Sequence, residues 1–499
     1  MHSSSPNRPI LPVRFSLPRD LPLPPPRSWP MPNPAAAPEQ ISPPMSASAS
    51  TFRTCPGTLP RRGVLRAGGA ALAGLSLGQL LRAESAPSPG ATPRAPKSLS
   101  VLWLWGGISH METFDLKPQA PAEYRGEFAP IPTVVPGLEI SEHLPRLASC
   151  ADRFSLLRSV THDSNGHVNS THTLLTGYPG EPVELAPFLP RHPDLWSVAS
   201  KYTPADPHGA PAHVAMPRIR YNGSAYLGGG LDPFLVTADP NTPEFSVPNL
   251  AINGVSPNRF TDRLSLQQRF DQFRRQADQR HLMDSIDLSD RAAVALLTGD
   301  RVRSAFDLSL EDHATRERFG RHAVGQQCLL ARRLVEAGVR LVSIDFPCVP
   351  GQKAFSWDDH ASVWNIFEQM KIRLPVLDQV VSALVNDLHD RGLANDVLFL
   401  VTGEMSHTPR LSNHQGQPGR EHWGRTMTVF ASGGGLRMGQ VIGSSGPKGD
   451  EPTERPLQPT DLLATWYRHL GVPLDLQPRD FGGRPTPLLP HGRPIAELL

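Results

Sequence analysis

The segment HDSNGHVNSTHTLLTG, residues 162–177, sets His162, His167 and His172 close together in the chain. Neutral imidazole is the commonest protein metal ligand and a general acid or base near neutral pH. Groupings of imidazole with carboxylate recur elsewhere: His110 and Asp115 beyond Gly106-Gly107, Asp358 and His360 in WDDH, Glu404 in GEMSH, and Glu421 with His422 in REHW. Asp358 and His360 stand at i and i+2, which on a loop lets both side chains reach one ion. Imidazole nitrogens and carboxylate oxygens suit zinc, manganese or iron. Cys55, Cys150, Cys328 and Cys348 show no CxxC spacing, which argues against a thiolate zinc site. His172 reads as structural because it falls where a helix would begin. His407 and His414 read as solvent-facing, and Trp103, Trp105 and Trp357 as core.

The elements that must position these groups are visible as short apolar runs at 99–105, 154–160, 339–346, 397–402 and 427–432. Each has the length of a strand buried on both faces. Helical patterns at 322–338 and 364–392 precede two of them, the second interrupted by Pro375 as a kink or break. Helix followed by strand, twice over, indicates βαβ units and a parallel sheet. Open parallel sheets gather ligands beyond the carboxyl ends of their strands. The histidines and acids listed above all follow such runs or, for Glu421 and His422, precede the last one, so separate segments deliver them to one rim. A two-metal hydrolase requires such a rim. Residues 259–280 read as a polar helix, and 179–258 as a Pro/Gly-rich insertion.

The chain has 499 residues and a net charge of +2, leaving no basic field suited to nucleic acid. Residues 1–44 hold 14 prolines and no apolar periodicity; they read as a disordered extension, or as lying ahead of a true start at Met45. Within 45–96, Arg61 and Arg62 precede a weakly apolar, Gly/Ala-rich run and the small residues Ala83 and Ser85. That order reads as a twin-arginine export signal, with the translocase as partner and a periplasmic or secreted destination. The glycines in the run argue against a permanent membrane span. Residues 97–499 form the mature domain.

The stretches GGISHMETFDLKPQAPAEYRGEF, LLRSVTH, LLTGYP, WDDH, GEMSHTPR, REHW and LQPTDLLATWYRHLG together resemble the exported bacterial family called domain of unknown function 1501, over about residues 98–499. That family resembles the alkaline phosphatase and sulfatase superfamily. The likeness implies an α/β fold, an alkaline-phosphatase-like three-layer sandwich with a central mostly parallel sheet, helices on both faces and divalent metals at the strand ends. Leu174-Leu175-Thr176-Gly177 matches the end of the superfamily's nucleophile loop. His167 stands where a sulfatase holds its reactive cysteine, with Ser170 and Thr171 nearby. Asp358 and His360 resemble the metal-ligand pair, Glu404 stands at an Asp position, and His422 resembles the late metal histidine. Gly106-Gly107 occupy the place of an acidic ligand, for which His110 or Asp115 would substitute; His162 lies near the same rim. Arg158, Arg410 and Arg425 are the planar forks available for an anionic group.

These residues imply an exported metal-dependent hydrolase of small-molecule or polysaccharide phosphate or sulfate esters, using one or two divalent ions, zinc or another. Gly106-Gly107 and Met405 favour the alternative: a non-catalytic exported module that binds an anionic polysaccharide. Fold by itself does not decide between them.

Overall fold

The computed structural model describes residues 97–180, 190–203, 206, 210–220, 223–247, 300–346, 348–349 and 352–499. The proline-rich start, the expected export signal around Arg61-Arg62 and the expected helix at 259–280 lie outside the described residues.

The apolar runs form strands because alternate side chains of each find a separate apolar layer. The main sheet comprises β1 (Ser98–Trp103), β2 (Phe154–Val160), β3 (His213–Met216), β4 (Phe234–Leu235), β5 (Leu341–Asp345), β6 (Val397–Thr402), β7 (Met427–Gly433) and β8 (Gln440–Ile442). Their spatial order is β8-β2-β7-β6-β1-β5-β3-β4. Every pairing is parallel except those of β7, which runs antiparallel to both β2 and β6. Val342, Phe399 and Phe430 enter one core, with Leu330 and Leu334 of α3 (Ala323–Glu336) and Leu377 and Leu384 of α4 (Ile366–Asp390). Val101, Leu341, Leu400 and Val429 enter the other, against α1 (His167–Thr176), α2 (Leu195–Tyr202) and α5 (Pro459–Leu470). The result is an α/β three-layer sandwich around a mostly parallel sheet. No described helix is long and apolar enough to cross a membrane.

Three details differ from the sequence reading. Helix α4 continues through Pro375, so of the kink or break expected there the break does not occur. The last long apolar run, β7, is antiparallel, so the residues just before it reach the same edge as the residues just after its neighbours. The stretch read as a Pro/Gly-rich insertion supplies β3, β4 and α2 and so builds one edge of the sheet; strands of four and two residues are too short to show as apolar runs.

Phe430 of β7 lies 4.5 Å from the ring of Phe154 and 6.2 Å from that of Phe399, fully buried between β2 and β6. A Phe430→Ala variant should lose about 3–5 kcal/mol of unfolding free energy. Urea unfolding followed by tryptophan fluorescence measures this.

Candidate metal centre

The carboxyl edge brings together groups from five places in the chain. Helix α1 begins directly after Gly166, whose N–H donates to Asn169 Oδ1 at 2.9 Å. His167 is therefore the first helical residue, and its ring stacks on Trp105 with centroids 5.3 Å apart. Beyond β1 the chain turns at Gly106, with φ +104°, where a Cβ would stand 2.4 Å from the Asp358 backbone nitrogen. A Cβ at Gly107 would stand 2.6 Å from the Met405 carbonyl oxygen. The glycine pair thus allows the β1 exit to lie against two of the loops that carry the site.

Asp358 is the common partner. Its Oδ1 lies 2.8 Å from His360 Nε2 and 3.0 Å from His422 Nε2, and its Oδ2 lies 3.3 Å from His167 Nε2. His360 Nε2 and His422 Nε2 are 3.0 Å apart. Each imidazole is held from behind through Nδ1. That of His422 donates to the Asn165 carbonyl at 2.8 Å, that of His167 to Glu404 Oε1 at 2.8 Å, and that of His360 to Glu421 Oε2. An acceptor behind each Nδ1 fixes the tautomer and leaves three Nε2 atoms aimed at one carboxylate, the pattern by which metal-binding histidines are oriented. Ligand bonds of ~2.0–2.2 Å place neighbouring ligand atoms of a tetrahedral site about 3.3 Å apart. The donor atoms of His167, Asp358 and His422 lie within 4.8 Å of one another, so these residues fit a divalent ion.

The loop carrying Asp358 is held from below. Buried Asp359 pairs with Arg373, accepts from Trp364 Nε1 at 2.8 Å, and donates its N–H to His407 Nε2 at 3.2 Å. The N–H of buried Arg420 donates to the Asp359 carbonyl at 2.9 Å, and its guanidinium pairs with Glu112 at 2.7 Å.

The family model described as "Protein of unknown function (DUF1501)" matches residues 96–499. The chain belongs to the DUF1501 family. No curated protein sequence matches it. Among solved structures, the PsFucS1 sulfatase from Pseudoalteromonas sp. is similar at 14% identity, covering 83% of this chain and 72% of that one, with a TM-score of 0.33. A phosphonate monoester hydrolase from Silicibacter pomeroyi shares 10% identity over 78% of each chain, with a TM-score of 0.28. A TAB5 alkaline phosphatase variant with Mg bound shares 11% identity over 70% of this chain and 95% of that one, with a TM-score of 0.30.

Most of the other expected site residues of this DUF1501 protein have their own partners. His162 Nε2 donates to the Glu404 carbonyl at 3.0 Å, and burial pushes its pKa down to about 4. Both ring nitrogens of His110 are occupied, by Ser406 Oγ at 2.7 Å and the Gly449 carbonyl at 2.8 Å. Asp115 pairs with Lys117 at 2.9 Å and faces Arg158 at 3.8 Å. Arg425 pairs with Glu451 at 2.7 Å, and Arg410 is exposed. Ser170 is fully buried, with its hydroxyl against Asn169 and Met405. Thr171 Oγ1 donates back to the His167 carbonyl at 2.6 Å, as threonines inside helices do. His172 Nδ1 lies 3.2 Å from the Tyr178 carbonyl. His407 is fully buried beneath the Asp358 loop instead of facing solvent, and its pKa is held down by burial. Its position four residues past the Gly403-Glu404 strand exit was the available signal, but chain spacing does not reveal which loop folds over it. Trp105 is half-buried against His167, whereas Trp103 and Trp357 are core.

Without a cation, His167 and His360 favour their protonated forms. Burial pushes His167 down, but hydrogen bonds to Asp358 and Glu404 outweigh it and lift the group to about 10. The hydrogen bond to Asp358 lifts His360 to about 9 against the effect of burial. Burial opposes the charge on Asp358, yet bonds from His167, His360 and His422 hold it well below the usual carboxylate range. A group raised above its unfolded value (~6.5 for His) contributes stability fully present below that value and lost as pH rises through the folded one. Ion-free protein should therefore lose stability as pH climbs through about 9 and 10, read from urea midpoints, with a smaller fall in His167→Ala. Divalent-ion loading near neutral pH should release protons, measurable by calorimetry in buffers of different ionisation heat.

Proposed function

We propose that this chain is an exported metal-dependent hydrolase of phosphate or sulfate esters. The observation that carries this reading is the convergence of three Nε2 atoms on Asp358, each imidazole braced through Nδ1. His167, Asp358, His360 and His422 would hold the ion. A divalent cation supplies Lewis-acid polarisation of an ester oxygen and acidifies water. Glu404 and Glu421 act through the imidazoles they orient, and Trp105 shields one face of His167. The hydroxyls of Ser170 and Thr171 turn into their own helix and its packing, so water is the attacking group in this reading. The same inward hydroxyls favour the alternative, an anionic-polysaccharide-binding module.

Asp358→Asn should lose metal by elemental analysis, and turnover of 4-nitrophenyl phosphate or sulfate should fall on the order of 100-fold. Wild-type protein devoid of metal after loading would refute the hydrolase reading. Bound metal without turnover on any ester would leave the binding module.

Export rests on the leader residues. Replacing Arg61 and Arg62 together by lysine should retain the protein in the cytoplasm, as followed by fractionation. Unchanged export would mean another route.

A further inference from the structure

Beyond the imidazoles, the same edge carries a guanidinium with a built support. Arg220 follows β3, and its Nε donates to Asp345 Oδ2 at 2.9 Å. Asp345 ends β5, is 3% exposed, and also faces Arg218 Nε at 3.5 Å. Two guanidinium groups thus share one carboxylate, with the Glu404 carboxylate near enough to act on it as well. The guanidinium carbon of Arg220 lies 5.1 Å from the Trp105 ring centroid, and Trp105 stacks in turn on His167 at 5.3 Å. Arg220 thus stands one indole away from the metal centre. Its Nε is engaged, while its two terminal amino groups make no hydrogen bond among the described residues, and its side chain is 22% exposed. A guanidinium fixed at Nε and laid over an aromatic ring offers two coplanar N–H groups at little further entropy cost, a geometry that matches oxyanions bidentately.

We propose that Arg220, braced by Asp345 and Trp105, is the anion-recognition residue of this edge and binds a tetrahedral oxyanion, phosphate or sulfate, with Arg218 adding charge from the rim. This rests on the hydrolase reading for the substrate and assigns the side chain that reads its charge. Arg158 and Arg425, the forks named from sequence, face Asp115 and Glu451 instead.

The test is titration calorimetry of inorganic phosphate and of sulfate into chelator-treated full-length protein; the two titrations show which oxyanion is preferred. Arg220→Gln should weaken binding at least ~10-fold, and Arg220→Lys, which keeps charge but loses the fork, should fall between. Arg425→Ala should match wild type. Circular dichroism confirms that each variant is folded, and the lysine variant carries the comparison should the glutamine variant not fold. Wild-type affinity in either folded Arg220 variant, or no oxyanion binding by wild type, overturns the proposal. Because no metal is present, this outcome is independent of metal loading in Asp358→Asn.

Discussion

A single carboxylate facing three imidazole nitrogens is the contact on which the carboxyl edge of this protein depends. Asp358 can hold that position only because its neighbours on every side are already fixed. Its Oδ1 is shared by His360 and His422, and its Oδ2 faces His167. Three imidazoles in such proximity repel one another when all are protonated, so the arrangement needs either the charge of Asp358 with Glu404 and Glu421 behind, or a cation in place of protons. The bracing through Nδ1 is compatible with either state, because it leaves each Nε2 facing Asp358.

Rigidity comes from charge pairs placed one layer below. Asp359 with Arg373 and Glu112 with Arg420 are fully buried. Buried ion pairs contribute modest net stability, because desolvation offsets their attraction, but breaking one leaves an uncompensated charge. Such pairs make alternative loop paths costly. Asp359 and Arg420 are joined through the Asp359 carbonyl, and His407 takes the Asp359 N–H, so the 358–360 loop is tied by backbone and side chain together. Glycine at 106 completes the arrangement by letting the β1 exit approach Asp358 more closely than a Cβ permits.

The site also has a polarity along the edge. Imidazoles and carboxylates occupy the ends of β2, β6 and β5 and the start of β7, while arginines stand beyond β3. Trp105 lies between the two zones and touches both. A substrate with one reacting ester and a formal negative charge would meet complementary groups across that indole. The hydroxyls of Ser170 and Thr171 on α1 turn inward, toward Asn169, Met405 and the His167 carbonyl.

The sequence by itself determined the five long strands, the two helices that precede β5 and β6, and a pool of candidate groups beyond the strand ends. Buried strands must be continuously apolar, helices that cover them carry apolar faces, and the chain leaving a strand end must be polar. Those are local properties, and they made 154–160 and 397–402 legible to the residue. His167, Asp358, His360, Glu404 and His422 were readable as candidates from their places near strand ends together with the family resemblance. Tertiary structure alone decided which of the similar-looking residues meet. His110 and His407 follow strand ends as His167 does, yet one is spent on Ser406 and Gly449 and the other is buried under Asp359. The reversal of β7, which carries His422 to the edge, and the short β3, which carries Arg220 there, depend on strand order and direction. Those are settled by pairing between distant segments, and local periodicity holds no record of them.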